Sequence, residues 1–517
     1  MIIRLSFLAI LTVFLLHTTA SVLTVGPSQT YARIDTAYKY AQAGDSILVY
    51  PLANDSAYQQ VAIYLNKRRI TISGQAAEGS RVKLSGQGFE YSGVGSIPRA
   101  IFQFNPGADS SLIEHFEVFA CTNTSFNGAG FRNNQANNIT VRDCEIRNND
   151  MGIMANGLVA DSSAKNFLIE NCIVHDNGNF NHAGYNHNFY LGGTSVTLRG
   201  CNVYRPATGH NVKSRAHITI LEGCYIHDSG ERECDLVDDA GTTAMPGSHA
   251  MLIGCTIVKD PACAGNKTVI HFGEDGGNGH NGTIYLIHCT IITPFISPVV
   301  DLSSLDAHAQ FYNCLVADPS GNQNGQSLVS ATRNGALTAN SAGDHLWLSS
   351  GFSTPVDGNF ANITKCASHE IPGFTDADTG DYSLTTAYAG IVDAGVVVTN
   401  GDLPASLQNL PLLTFTPPLG TRTRPIVGTP DIGACEWDTG TSVENGPLTF
   451  VAQRNKIEEV FIVDIRGKII QTLAFTSASM AWDRTDHFGR AVGTGLYFMM
   501  WRDNGAMRLY KKIPVVR

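Results

Sequence analysis

Apolar and polar residues alternate in one short phrase that recurs through the middle of the chain. It reads VRDCEI around Cys144, IENCIV around Cys172, LRGCNV around Cys201 and LEGCYI around Cys224. It continues as LIGCTI, LIHCTI and FYNCLV around Cys255, Cys289 and Cys314, and IEHFEV carries Phe116 in the cysteine's place. Such alternation is strand periodicity, and the Asn, Asp and Gly residues that follow supply turns. From Cys144 the steps are 28, 29, 23, 31, 34 and 25 residues, a period that signals a solenoid. No helical pattern separates the repeats, so an all-β, single-stranded parallel β-helix is predicted, its coils ~4.8 Å apart. The cysteines then form one inward ladder of small buried hydrophobes, expected as free thiols. Cys121, Cys234, Cys263, Cys366 and Cys435 stand off the ladder, where disulfides stay open.

The ends read differently. Ile34, Ala37, Tyr38 and Ala41 recur at helical spacing before a Gly-Asp turn and a strand, which predicts an N-terminal capping helix for the open stack. Residues 1–20 pair Arg4 with the apolar run Leu5 to Leu16 and small residues, the pattern of a secretory signal peptide. That run is too short to cross a bilayer, and no later stretch is apolar enough, so no transmembrane segment is expected. The solenoid is assigned to 21–437 and a linker to 438–447. In 448–517, EEVFIVDIRGKIIQTL and the stretches from Trp482 and Arg508 read as a small β-sandwich.

The opening Leu23–Pro51 and the segments GFTDADTGDYSL, IVDAG and RPIVGTPDIGACEW resemble the start and close of secreted right-handed β-helix proteins of the pectate-lyase-like superfamily. The likeness covers about Leu23 to Trp437. It implies fold and secretion, but weakly a reaction, because that superfamily holds lyases, hydrolases, epimerases and non-enzymes. The last 70 or so residues resemble the sorting domains of type IX secretion in Bacteroidetes-like bacteria. Trp482, Asp483, Gly489, Gly495, Tyr497, Lys512 and Arg517 stand at that family's recurring positions. A bacterial, secreted or surface-associated monomer that meets the type IX machinery is the expectation; an immunoglobulin-like spacer is the plainer one.

Net charge is −10, which argues against nucleic acid as the main partner. Charge is distributed unevenly, however. Between Arg199 and Arg232 five basic residues face three acidic ones, and a local basic cleft can hold an anionic ligand despite global repulsion. Counting twelve back from Cys201 and from Cys224 stacks His187 on His210, Asn188 on Asn211 and Tyr190 on Lys213. Strand alternation then turns Tyr190, Lys213, Arg215, Asp235 and His271 outward on one face.

An acidic, uronate-containing polysaccharide suits such a face, and β-elimination suits such a ligand. Lys213 is the expected base, its pKa lowered by neighbouring cations and burial, and Arg215 the expected carboxylate neutraliser. Tyr190 or His210 is the expected proton donor, with His187, Asn188, Asn211, Arg232 and His271 as substrate contacts. The lyases resembled use a Lys or Arg base, often with calcium, and Asp235, Asp238 and Asp239 are the candidate calcium ligands, together with EDGGNGHNG (274–282).

Other readings stay open. Lys213 can be a solvated surface charge, the His and Asn pairs a structural ladder, and the Asp-rich stretches plain turns. His182 with His187 can bind metal but lacks a third ligand. A glycoside hydrolase of polygalacturonase type would draw its acids from Asp235, Asp238 and Asp239. A non-catalytic carbohydrate-binding or adhesive scaffold would instead spread its charges over all coils.

Overall fold

The structure, a computed structural model, describes residues 20–437 apart from 78, 295–297, 322–324, 354, 356 and 367–370. Within 448–515 it also describes 448–451, 460–464, 468–473, 479–482, 485–487, 490, 492, 495–503 and 506–515. Nearly all of the expected signal peptide, the expected linker 438–447, and Asp483, Gly489 and Arg517 lie outside the described residues. The chain divides into two compact units, 1–437 and 438–517.

The first unit is a parallel β-helix. Its strands form three long sheets, of 13, 11 and 10 strands, each joining strands from successive coils; after the first pair, no two neighbours in a sheet are consecutive strands. Parallel crossovers of this kind take the right-handed sense. The predicted cap is there: the helix Ile34–Tyr40 buries Ile34, Ala37 and Tyr38 against the first strands, Val22–Val25 and Ser46–Val49.

The recurring phrase is not one strand, as its alternation suggested. It is a corner between the first and second sheets. Around Cys224 the strand Ile218–Glu222 ends, Gly223 turns, and Tyr225–His227 starts in the next sheet. The residue before each ladder cysteine (Asp143, Asn171, Gly200, Gly223, Gly254, His288 and Asn313) has φ between 49° and 63°. Gly, Asn and Asp tolerate this left-handed conformation best, which explains their place in the phrase. The turn sits inside the motif, one residue ahead of the cysteine.

All seven ladder cysteines are buried free thiols, and so are Cys121, Cys234 and Cys263. Burial pushes the Cys201 and Cys224 thiols well above their usual range. A thiol that is neither exposed nor ionised does not react. We therefore expect Ellman's reagent to leave the ladder thiols untouched in the native protein and to titrate them once guanidinium unfolds it.

Residues 371–437 leave the last coils and run back along the cysteine corner. There the hairpin Leu413–Phe415/Thr421–Thr423 reaches the coil of Gly200, whose carbonyl accepts the Gly420 N–H at 3.1 Å. Arg424, 2% exposed, pins this strap by pairing with Glu436 at 2.9 Å and contacting His288.

In the second unit, Ile469–Leu473, Val460–Asp464, Gly495–Asp503 and Ala506–Val515 form one antiparallel sheet, and Leu448–Val451 pairs with Ser479–Trp482. Trp482 packs with Ile462, Tyr497 and Met499, so side chains from both sheets share one core, as a β-sandwich requires.

Candidate functional site

The third sheet presents one outward row. In register along the stack stand Gln103, Arg132, Met154, Tyr190, Lys213, Asp235, His271, Asp301 and Ser330. The stacking read from the cysteine count is the stacking observed: Tyr190 pairs with Lys213, and Lys213 with Asp235. The first half of the row carries a single charged residue, Arg132, and from Lys213 onward charged and titratable side chains dominate.

Asp235 is the hub of the charged half. Its side chain is only 2% exposed. One oxygen meets Lys213 Nζ at 2.7 Å and His210 Nε2 at 3.4 Å. The other meets His271 Nδ1 at 2.9 Å and Arg232 at 3.1 Å. Burial alone would raise its pKa; His210, His271 and Lys213 outweigh burial and hold the carboxyl well below the usual carboxylate range. His210 faces this carboxylate through Nε2, 3.4 Å away. Burial lowers its pKa to about 4, and its Nδ1 accepts the Arg232 N–H at 3.1 Å, so its remaining proton sits on Nε2 facing Asp235.

Lys213 differs from expectation. It has a second carboxylate partner, Asp275, at 3.0 Å, from the turn after the strand Ile270–Gly273. Burial acts to lower its pKa, but Asp235 and Asp275 together prevail and the net shift is upward. The lysine is a firm cation and not a lowered-pKa base. Acids, not the cations the sequence placed near it, set its electrostatics.

Arg215 lies on the same face as Lys213. Its NH2 meets the same Asp275 oxygen at 2.8 Å, its Nε donates to the Tyr190 hydroxyl at 3.2 Å, and its NH1 reaches the Asp238 carbonyl. Tyr190 and Arg215 line a cleft of about 340 Å³ shared with Gln135, Asn156, Leu158 and Asp239.

Several expected contacts are corrected by burial. Asn188 and Asn211 are both 0% exposed and belong to an internal amide ladder. Asn149 donates to Asn177 at 3.0 Å, Asn177 to Asn188 at 3.0 Å, Asn188 to Asn211 at 2.9 Å, and Asn211 to Glu233 at 2.6 Å. The ladder ends on a buried Glu233–Lys259 pair at 3.7 Å. Such residues stiffen the turn and cannot touch a substrate. Asn211→Ala is expected to cost about 1–3 kcal/mol, the penalty of stranding buried polar partners, read as a lowered urea midpoint.

His187 is 1% exposed; its ring stacks on His210 at 5.1 Å and its Nδ1 accepts the His210 N–H at 3.0 Å. That nitrogen is unavailable to a metal, and His182 instead stacks on Tyr185 at 4.6 Å. His271 is also buried, bridging Asp235 to Ser303 Oγ, 2.7 Å from its Nε2. Asp235, His271 and Ser303 thus form an Asp-His-Ser chain, but Ser303 is 0% exposed and its Oγ takes the Glu274 N–H at 2.6 Å, so it braces the turn.

The three aspartates do not converge on a cation. Asp235 is taken by the groups above. Asp238 accepts backbone N–H groups of Asp275, Gly276 and Asn278 at 2.5, 2.6 and 2.6 Å, and Asp239 accepts that of Gly241 at 2.9 Å. Among the described residues no group of three His, Cys, Asp or Glu side chains is arranged to hold a metal ion. The same occupancy removes Asp235 and Asp238 as a hydrolase's acids, because both carboxylates are buried and already paired.

Sequence reasoning missed Asp275 in any role but calcium ligand, and it missed Ser303 and Lys259 altogether. For Asp275 there was a signal: an acid followed by Gly276-Gly277 directly after a strand of the row.

No family model matches this chain, and no curated protein matches it in sequence. Solved structures do. Pectate lyase Pel9A is similar at 12% identity and a TM-score of 0.38, over 81% of this chain and 97% of that one. The tailspike protein gp49 of Acinetobacter baumannii bacteriophage Fri1, a capsular polysaccharide depolymerase, is similar at 10% identity and 0.40, over 96% and 80%. A pectin methylesterase from carrot is similar at 10% and 0.32, over 67% and 88%.

Proposed function

We propose that the protein binds a uronate-containing polysaccharide on the third sheet and cleaves it by β-elimination. The observation that carries this reading is the convergence of Lys213 Nζ and Arg215 NH2 on a single carboxylate oxygen, at 3.0 and 2.8 Å, beside the cleft that holds Tyr190. Two cations so placed would hold a sugar carboxylate equally well. They would also stabilise the charge that grows on it when the adjacent carbon loses its proton.

Lys213 is reassigned in this reading from base to neutralising cation, beside Arg215. His210 is not assigned the proton, since both its nitrogens are engaged. Tyr190 is. Deprotonated and facing the Arg215 Nε–H, its phenolate oxygen takes the proton from the carbon beside the carboxylate and, now a hydroxyl, returns it to the leaving glycosidic oxygen. The freed electron pair becomes the new carbon–carbon double bond as the carbon–oxygen bond breaks.

The test is incubation with polygalacturonate and with alginate, following the absorbance of the unsaturated product and reducing ends in parallel. Both are expected to rise, and Tyr190→Phe is expected to slow both by about a hundredfold while polymer binding persists. Reducing ends without absorbance would make the protein a hydrolase. Binding without either signal would support a carbohydrate-binding scaffold, a reading favoured by the upward shift of Lys213. Activity is expected to survive a chelator, because the aspartates that would bind calcium are occupied.

The proposal extends to the ends of the chain: residues 1–20 direct export, and 448–517 act as a type IX sorting domain. Truncation after Trp437 in a type IX-competent host should leave the protein in the periplasm. No helix among the described residues is long and apolar enough to cross a membrane.

A further inference from the structure

We infer that Asp275 is an internal stand-in for a ligand carboxylate, one that an incoming uronate must displace; this rests on the reading of Lys213 and Arg215 given above. Lys213 has two carboxylate partners of opposite character. Asp235, 2% exposed, is held by four side chains and is a permanent counter-ion. The Asp275 side chain is 40% exposed and stands between the cations and solvent.

The way Asp275 is mounted supports exchange. Its backbone is fixed: the Asp238 carboxylate, itself buried, accepts the N–H groups of Asp275, Gly276 and Asn278. On the preceding side, Glu274 N–H bonds Ser303 Oγ at 2.6 Å and the Glu274 carboxylate accepts from Asn334 at 2.8 Å. The turn is therefore anchored at both ends, and releasing the cations needs only rotation of the Asp275 side chain. A partly exposed ion pair contributes little net stability, so the exchange is inexpensive. Displacing Asp235 would instead strand buried charge, which is strongly unfavourable.

Selectivity follows. A lone uronate that replaces Asp275 trades one carboxylate for another and gains little. A polymer that places one carboxylate on the pair and neighbouring sugars along the cleft gains the additional contacts without a second loss of translational freedom. Asp275 thus biases the site toward chains of uronate and against single sugars.

The experiment measures binding of galacturonate monomer and of polygalacturonate by calorimetry, for wild type, Asp275→Asn and Arg215→Ala, with neutral galactan as control and melting curves to check folding. Asp275→Asn is expected to tighten the monomer about tenfold or more, to tighten the polymer less, and to leave galactan unbound. Monomer affinity unchanged or weaker in a folded Asp275→Asn, with wild type binding polymer and Arg215→Ala not, would overturn the stand-in role alone. Equal polymer binding by wild type and Arg215→Ala would overturn the underlying reading, and the inference with it. A purely structural ion pair would move the melting temperature and leave the monomer-to-polymer ratio as it was.

Discussion

Replacing Arg215 by Ala is expected to lower polyuronate cleavage by about a hundred- to a thousandfold, the scale of losing one preorganised group that stabilises developing charge. Initial rates of absorbance increase measure it. Arg215 is a cleaner target than Lys213. Its side chain is 20% exposed, its closest carboxylate partner Asp275 is solvent-facing, and the buried Asp238, 4.0 Å away, keeps three backbone N–H donors when Arg215 is truncated. Lys213 is 9% exposed and neutralises the buried Asp235, so its loss would unfold and inactivate together. Arg215 also positions the Tyr190 hydroxyl through its Nε. The loss should therefore fall on kcat as well as KM. Arg215→Lys keeps the charge but cannot reach Tyr190, Asp275 and the Asp238 carbonyl with one rigid fork, so it should recover only part of the rate.

Asp235→Ala is the second large effect, on stability. It removes the shared partner of Lys213, His210, Arg232 and His271 and leaves cations facing one another under burial. Breaking a buried pair in this way costs about 3–5 kcal/mol, readable as a shift in the urea midpoint at constant slope. The same cluster sets a pH dependence. Asp235 is depressed in the fold, so its contribution is present above the unfolded carboxylate pKa and is lost as pH falls through the folded value. His210 and His280 are lowered to about 4 and about 3, and His187 well below its usual value, in each case chiefly by burial. Below the unfolded histidine pKa of about 6.5 the unfolded chain binds protons that these residues refuse, and stability falls with pH. Glu233 opposes this: burial raises it to about 7, so it favours the fold as pH drops toward the unfolded glutamate value. Burial also lowers His217, His249, His288 and His308 and raises Asp143, Glu222, Asp431 and Glu436; the histidines still prevail, and a net loss of stability is expected between about pH 6.5 and 4. In Asp235→Ala the acid-labile part below the unfolded carboxylate pKa should shrink, leaving that of the other depressed carboxylates such as Glu145, Asp176, Asp228 and Asp238.

Much of the fold was legible because in a solenoid a sequence offset is a spatial neighbour. Counting from the cysteines put Tyr190 beside Lys213 and His187 beside His210, since each coil restarts from the same left-handed corner. What failed was orientation where strand alternation begins. His187, Asn188 and Phe189 are consecutive and all buried, because the chain is still turning into the sheet and the period of two has not yet set in. Partners that arrive from turns of irregular length were equally hidden. Asp275 and Ser303 follow their strands by a residue or two, and nothing in the repeat says which way those turns fold back over the row.

The sequence by itself determined the coil period, the cysteine ladder, the capping helix and the row on which Tyr190 and Lys213 stand. Each follows from local backbone preference repeated at a near-constant step. Only the tertiary structure decided the charge state of that row. The two carboxylates that hold Lys213 as a cation come from 22 and 62 residues away, one sealed beneath it and one exposed above it, and the pKa of a buried group is set by whatever charge is folded against it.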